Sequence, residues 1–254
     1  MRHLDKSEIN DLNVVAVLNS LKSKIEDVRN PPNAYKRNYL NHQVNIRKNG
    51  KVEYRTEVKI ESLRNGLKDV RHSIYTQYSP CWDATIQGAE PQINIFCGNG
   101  NDLSVIDVDG NEKKYTWNFQ FSRALTEHEE IKYGFIVEFP QFFPAPKEIL
   151  KNMSRLPNYP FIDDRIEHHF FVNSHTELLE MKLSFEDGSV AKNFNVTVYN
   201  GRIYSQDCVD NEETERIKHF LQVNETLFKE KEVKLSVRYP KIGSTYSIYW
   251  ELGE

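Results

Sequence analysis

One stretch of this chain recurs, with weak similarity, about a hundred residues later. The segment WNFQFSRALTEHEEIK at residues 117–132 is similar without gaps to HFLQVNETLFKEKEVK at residues 219–234, and each copy then runs toward a proline. In this alignment Phe121 falls on Val223. A repeat of this period is typical of a duplicated β-module about the size of one β-sandwich.

A second pair of segments lies at nearly the same shift. INIFCG from Ile93 resembles VTVYNG from Val196, and Phe119 falls on Leu221 in the first alignment. The two matches predict an all-β fold of two tandem antiparallel immunoglobulin-like β-sandwich modules that arose by internal duplication. They also predict that Phe119 and Leu221 point into equivalent cores, because residues two apart on a strand share a face.

The distribution of proline divides the chain. Five prolines lie between residues 140 and 160, and proline removes a donor from a β-ladder, so this stretch is predicted to link the modules. The predicted organisation is an N-terminal helix and connector at 1–38, a first sandwich at 39–140, a linker at 141–162 and a second sandwich at 163–254.

Turn residues separate the predicted strands. Asn49-Gly50, Asp109-Gly110 and Asp187-Gly188 each lie between alternating segments and predict β-hairpin turns. Asp207 to Glu215 is rich in acidic residues and predicts a surface loop.

The N-terminal segment predicts an amphipathic helix with one apolar stripe. The stripe consists of Val14, Leu18, Leu21, Ile25 and Val28. It either covers the first sandwich, which the short connector favours, or pairs two copies of the chain in a homodimer.

The composition indicates a globular protein. The chain has 254 residues and a net charge of −4, and no apolar run approaches the roughly 20 residues that span a bilayer. The polar N-terminus does not resemble a secretory signal, so we expect a cytoplasmic protein without a membrane contact. Cys81, Cys97 and Cys208 are widely spaced, which favours ordinary thiols over a disulfide or zinc site.

Basic residues are concentrated near the start of the chain. Residues 1–71 carry 15 Lys and Arg against 9 Asp and Glu. Arg47, Lys48 and Lys51 are the candidate contacts for a nucleic acid, although solvated strand faces explain them as well. We expect no nucleic-acid binding at physiological salt concentration.

Aromatic residues of the first module form a candidate ligand platform. Tyr75, Tyr78, Trp82 and Asp83 flank a Ser-Pro turn, and aromatic rings can stack on a sugar or a base. The competing interpretation places Trp82 in the core of the first sandwich.

Two polar clusters are candidates for chemistry. The segment DDRIEHH, residues 163–169, holds the densest group of potential acids, bases and ligands, but adjacent histidines on a strand face opposite ways. Glu127, Glu129 and Glu130 with His128 could supply an acid and a base. Because only Glu130 has a counterpart in the similar segment, a structural role at a strand entry is favoured there.

Phosphate-binding loops, CxxC pairs and the HExxH and GxSxG motifs are absent from the sequence. These absences favour a non-enzymatic binding, sensing or adaptor protein that recognises a protein partner, without cofactor or metal. One alternative is a carbohydrate- or nucleotide-binding module that uses the Tyr75 to Trp82 segment. The other is a hydrolase whose site lies between the modules, near residues 163–169.

Overall fold

A computed structural model shows thirteen strands and one helix in the residues that it describes. These residues are 34–48, 51–75, 92–97, 102–111, 114–139, 165–188, 191–201, 208–225 and 230–252. The prediction of an all-β protein is confirmed at this level. The helix in the described ranges is neither long nor apolar enough to cross a membrane.

The largest sheet contains strands from both halves of the chain. Its seven strands are, in order across the sheet, β11 (Leu221–Glu225), β12 (Lys231–Arg238), β9 (Leu178–Phe185), β1 (Tyr35–Ile46), β2 (Val52–Ser62), β7 (Glu130–Phe139) and β4 (Gln92–Cys97). The two halves meet where β1 pairs with β9 in parallel, from Leu40 opposite Leu179 to Ile46 opposite Phe185. The other strand pairs of this sheet are antiparallel.

A three-stranded sheet faces each half of the seven-stranded sheet. The first has the order β3 (Leu67–Tyr75), β6 (Lys114–Leu125), β5 (Leu103–Asn111). The second has the order β10 (Ala191–Asn200), β13 (Ser244–Leu252), β8 (Arg165–Phe171), and helix α1 (Asn211–Lys218) precedes β11.

Alternation along the strands builds the core. Inward residues of β2 are buried and the outward ones are partly exposed, which is the period expected of a strand with one face on a core. Phe119 stacks on Phe135 with ring centroids 5.2 Å apart. On the other side Phe185 meets Trp250 at 5.5 Å.

Ion pairs cover the outward face of the seven-stranded sheet. They join Lys59 to Glu130 at 2.7 Å, Lys132 to Glu57 at 3.2 Å, Lys182 to Glu232 at 2.6 Å and Lys234 to Glu180 at 2.5 Å. Exposed pairs of this kind each contribute at most about 1 kcal/mol. Their main effect is to keep one face of the sheet polar while the other face packs.

The backbone at Gly134 of β7 leaves no room for a side chain. A Cβ there would lie 2.3 Å from Cζ of Phe96 and 2.5 Å from the backbone oxygen of Thr56. The Phe96 ring lies over the glycine and is itself covered by Arg55, whose Cζ is 5.2 Å from the ring centroid. The aromatic ring thus supplies the packing that the glycine lacks.

The equivalence predicted from the similar segments is wrong. Phe119 and Phe121 lie on β6, the central strand of a three-stranded sheet, whereas Leu221 and Val223 lie on β11, an edge of the seven-stranded sheet. The upstream pair fails in the same way, because its copies form β4 and β10 in different sheets. Alternating residues that end at a proline mark a strand but do not specify its neighbours.

Of the three hairpin turns predicted from the turn residues, one is confirmed, one is displaced along the chain and one is wrong. The β1–β2 hairpin around residues 48–51 is confirmed, with Arg47 N donating to Lys51 O at 2.9 Å. Gly110 lies inside β5 and pairs with Tyr115, so the β5–β6 turn lies beyond Asp109-Gly110. Asp187-Gly188 follows β9 and leads to β10 in another sheet, so the prediction of a hairpin there is wrong.

The acidic segment that was predicted as a loop, Asp207 to Glu215, overlaps the first part of helix α1. Asp210 is its N-cap, and its side chain accepts a hydrogen bond from Glu213 N at 3.1 Å. An acidic N-cap with a glutamate three residues later is the sequence signal for such a helix. The charge run concealed this signal because the apolar stripe of the short helix contains only one buried residue, Ile217.

Several predictions fall outside the described residues. They include the N-terminal helix and its stripe, residues 1–33, and the predicted linker at 141–162. Strand β1 begins at Tyr35, slightly before the predicted start of the first module at residue 39. The module boundaries otherwise stay predictions.

Candidate active site

Strand β8 divides the predicted polar segment between two environments. Glu167 and His169 point to one face of the strand, and His168 points to the other, because side chains alternate. His168 turns toward the seven-stranded sheet and stacks on His42 of β1 at 5.0 Å. The segment therefore contributes to two separate polar groups. Asp163 and Asp164 lie outside the described residues.

Glu167 is the centre of the first group. Its side chain is 8% exposed. The Tyr199 hydroxyl donates to the carboxylate, 3.1 Å from Oε1 and 3.0 Å from Oε2. The Ser247 hydroxyl donates to Oε2 at 2.9 Å. Two hydroxyl donors therefore hold one buried carboxylate in a fixed orientation.

His169 completes this group, which we call the Glu167 cluster: Glu167, His169, Tyr199 and Ser247. Nδ1 of His169 is 3.6 Å from Glu167 Oε2, beyond hydrogen-bond distance. Burial lowers the pKa of His169 to about 3. The imidazole is neutral at pH 7, so the contact with Glu167 is not an ion pair there.

The second group lies in the core. His42 Nδ1 is 2.9 Å from the Thr56 hydroxyl, and burial lowers the pKa of His42 to about 4. Burial also lowers the pKa of His168. The charges of His42 and His169 lower this pKa further. Nε2 of His168 is buried and has no hydrogen-bond partner in the described residues. These histidines pack as neutral aromatic rings.

Two members of the Glu167 cluster, Tyr199 and Ser247, were not predicted from the sequence. Tyr199 lies on β10 and Ser247 on β13, so they reach Glu167 only because β13 pairs with both β10 and β8. No local spacing connects the three residues in the sequence. The alternation of polar and apolar residues along SIYW at 247–250 was a signal that Ser247 lies opposite the core face.

The other predicted sites are not assembled by the described residues. Tyr78, Trp82 and Asp83 lie outside them, and nothing is described of the Tyr75 side chain. In the predicted basic group of Arg47, Lys48 and Lys51, Arg47 is paired with Glu186 at 2.7 Å, and Lys48 N donates to that carboxylate at 3.1 Å.

The acidic turn before β7 has a structural role. Glu129 accepts from Thr126 N at 3.0 Å and pairs with Arg123 at 2.5 Å. These contacts, the Arg123 hydrogen bond first, lower the pKa of Glu129 to about 2. Glu129, not Glu130, makes the turn hydrogen bond that was expected at this strand entry, while Glu127 and His128 occupy the turn itself.

Within the described ranges, no three His, Cys, Asp or Glu side chains are grouped so that they could hold a metal ion. The Glu167 cluster contains a carboxylate, a neutral imidazole and two hydroxyls. It is suited to proton transfer between oxygen atoms, because carboxylates and hydroxyls can exchange roles as acceptor and donor.

Comparison with known proteins gives little at the level of sequence. No protein-family model matches the chain, and no curated protein sequence is significantly similar to it.

Solved structures share a distant likeness. One is the M1 zinc metallopeptidase from Deinococcus radiodurans, at 8% identity and a TM-score of 0.43, with 85% of this chain and 42% of that chain covered. Another is a putative protease from Parabacteroides distasonis, at 9% identity and a TM-score of 0.43, with 86% and 40% covered. The chain thus spans about two fifths of these proteins, and their activities belong to the whole proteins.

The prediction of a non-enzymatic binding or adaptor protein is contradicted by these comparisons. The similar structures are named as a peptidase and a protease. A TM-score below 0.5 does not transfer their zinc chemistry to this chain, whose sequence also lacks the HExxH motif. The chain is therefore assigned to no family.

Proposed function

We propose that this protein is a hydrolase in which Glu167 is the acid–base residue. The single observation that carries the proposal is the buried carboxylate of Glu167, which receives hydrogen bonds from both Tyr199 and Ser247. Residues that are poised for proton transfer characteristically combine burial with an oriented partner. The hydrolase alternative placed its site between the modules near residues 163–169. The Glu167 cluster shares Glu167 and His169 with that segment, but all its members belong to β8, β10 and β13 of the second half of the chain.

In the proposed reaction Glu167 takes a proton from the attacking water as the water oxygen adds to the substrate. Glu167 then returns the proton to the leaving group as the scissile bond breaks, so no net proton is gained. The Tyr199 hydroxyl holds the carboxylate and can donate to an oxygen that gains negative charge.

Ser247 acts as a donor in this proposal and not as a nucleophile. Its hydroxyl points at the carboxylate of Glu167, at 2.9 Å, whereas a serine nucleophile requires a base that in turn is oriented by an acid. His169 stays neutral because of its lowered pKa. It therefore cannot act as an imidazolium acid at pH 7.

The remaining predictions are kept as proposals. They are the tandem immunoglobulin-like organisation, the absence of a cofactor, the dimer through the N-terminal stripe and the platform at Tyr75, Tyr78, Trp82 and Asp83. The Glu167 proposal depends on none of them.

The test is a panel of fluorogenic peptide, ester, glycoside and phosphoester substrates. We expect the wild-type chain to hydrolyse at least one class, and Glu167→Gln to lower kcat at least about 100-fold, the usual contribution of an acid–base residue. The matched control is Glu180→Gln. Glu180 also accepts from a tyrosine and a serine, Tyr39 at 2.8 Å and Ser236 at 3.2 Å, but on the outward sheet face.

The control variant should keep the wild-type rate within about twofold, because Glu180 is half-buried in an ion pair with Lys234 on the outward sheet face, away from the Glu167 cluster. No turnover of any class by the wild-type chain, or an undiminished rate in Glu167→Gln, contradicts the proposal.

A further inference from the structure

Arg37 of β1 is a buried cation without a carboxylate partner. The residue is 2% exposed. Nη1 donates to Asn173 Oδ1 at 2.8 Å, and Nη2 donates to the Tyr35 hydroxyl at a long 3.3 Å. Nε is buried and has no hydrogen-bond partner among the described residues. No described Asp or Glu lies within ion-pair distance of this guanidinium.

Other arginines of the described chain behave differently. Arg47, Arg55, Arg123 and Arg216 each pair with a glutamate, at 2.7, 2.8, 2.5 and 2.6 Å. All four are more exposed than Arg37, so water already screens their charge. The most deeply buried of these five cations is therefore the one that lacks a counter-charge.

The backbone fixes Arg37 at the junction of the two halves. Arg37 N donates to His175 O at 2.8 Å, and Arg37 O accepts from Glu177 N at 2.8 Å. The segment that clamps it, residues 172–177, connects β8 with β9. The guanidinium thus lies where β1 of the first half meets the second half.

The same segment supplies a second unpartnered donor. Ser174 is 4% exposed, and its hydroxyl has no hydrogen-bond partner in the part of the chain that the structure describes. Asn173, beside it, is exposed and already binds Arg37. A hydroxyl and a guanidinium N–H therefore both lie at this junction without a hydrogen-bond partner among the described residues. Buried donors are usually satisfied by protein, by water or by a ligand.

We propose that Arg37 anchors an anion site that binds a carboxylate ligand. Nε and Nη2 form one edge of the guanidinium, and a carboxylate accepts two parallel hydrogen bonds from such an edge. To bind the carboxylate, Nη2 gives up only its long hydrogen bond to the Tyr35 hydroxyl. Nη1 retains its hydrogen bond to Asn173. One cation and one hydroxyl match the single charge of a carboxylate.

Uncompensated burial explains why an anion is favoured there. A charge that is removed from water loses its hydration, and an opposite charge with good geometry offsets this loss. The positive charge of Arg37 also acts on its surroundings, because it adds to the burial that lowers the pKa of His72. The site rests on these contacts alone and does not depend on catalysis by Glu167.

The experiment measures the melting temperature of the full chain in sodium acetate at constant ionic strength. Acetamide is the neutral probe of the same shape, and inorganic phosphate is the competing anion. We expect acetate to raise the melting temperature saturably, acetamide to leave it unchanged, and phosphate to act less strongly than acetate.

Two variants identify the site. Arg37→Met should abolish the acetate response and should not lower the melting temperature without acetate, because it removes an unpaired buried charge. Ser174→Ala should weaken the apparent affinity for acetate about tenfold, as expected for a lost hydrogen bond to a charged group. The control, Arg55→Met, removes an arginine that pairs with Glu57 and should keep the response.

Nitrogen-15 spectra of the arginine Nε–H groups supply a readout that requires no variant. One resonance should shift with the same acetate dependence as the melting temperature. An equal acetate response in Arg37→Met, no saturable response in the wild-type chain, or a stronger response to phosphate than to acetate overturns the proposal.

Discussion

Lowering the pH from 7 to 5 is expected to destabilise the protein by roughly 5 kcal/mol. The cause is a set of buried histidines that stay neutral in the folded chain. Burial lowers the pKa of His42 to about 4, and of His72 and His169 to about 3 each. In the unfolded chain each histidine titrates near its ordinary pKa of about 6.5.

The sign follows from proton binding. Between pH 6.5 and the folded pKa values, the unfolded chain binds protons that the folded chain excludes, so acid favours unfolding. At pH 5 each of the three histidines contributes about 2 kcal/mol of destabilisation. His168, whose pKa is also lowered, acts in the same direction. Glu129 does not contribute to this loss of stability. Its folded-state pKa of about 2 means that the stability it supplies is lost only below about pH 4.5.

Urea unfolding at pH 7, 6, 5.5 and 5 measures this effect. Near pH 5, the slope of the unfolding free energy against pH should show that the unfolded chain binds at least about three more protons than the folded chain. His169→Gln should reduce the slope by about one proton. A free energy that is flat between pH 7 and 5 would show that these histidines are not buried neutral.

Truncation of Phe121 to alanine should cost about 3 to 5 kcal/mol, the usual range for a buried phenylalanine. The ring is 0% exposed and meets Tyr133 edge-on at 5.8 Å. Its partner in the sequence alignment, Val223, is 49% exposed on an edge strand. Val223→Ala should therefore change the free energy by less than about 0.5 kcal/mol.

Chemical denaturation of both variants makes the comparison, with the wild-type chain in the same buffer. The contrast decides between two accounts of the similar segments. Equivalent core positions would give both variants a large loss, whereas positions in different sheets give a loss for Phe121→Ala alone. A loss above about 2 kcal/mol in Val223→Ala would support the duplication and contradict the strand order described above.

Local patterns predicted where the strands lie but not how they pair. The bounds of β4 and β9 agree with the alternation in the sequence, because a strand with one buried face must repeat every two residues. The parallel pairing of β1 with β9 has no local signal. It joins residues more than a hundred positions apart, and its partners, such as Val44 and Leu183, are apolar residues that fit many neighbours.

The candidate site could be predicted only in part for the same reason. Glu167 and His169 were identified because their segment is dense in polar residues. Tyr199 and Ser247 come from strands that the sheet brings beside β8. The buried Arg37 could not be predicted from the sequence. Its burial results from the packing of the two halves against each other, and its neighbours in the sequence give no sign of it.

The central claim is that β1 and β9 join the two halves in one sheet, since this pairing places both His42 against His168 and Arg37 against residues 172–177. A disulfide tests the register directly. Gln43 and Lys182 are paired on the outward face, and neighbouring Cα atoms across a sheet lie within the range of about 4.4 to 6.8 Å that a disulfide spans.

The variant Gln43→Cys/Lys182→Cys is made in a chain whose Cys81, Cys97 and Cys208 are replaced by serine. The matched control, Gln43→Cys/Ser184→Cys, keeps the same face but shifts the pair by two residues, to a Cα separation of about 8 Å. After mild oxidation, peptide mapping by mass spectrometry should find the crosslink in nearly all of the first variant and little in the control. No crosslink in the first variant, or equal crosslinking in both, would contradict the joined sheet.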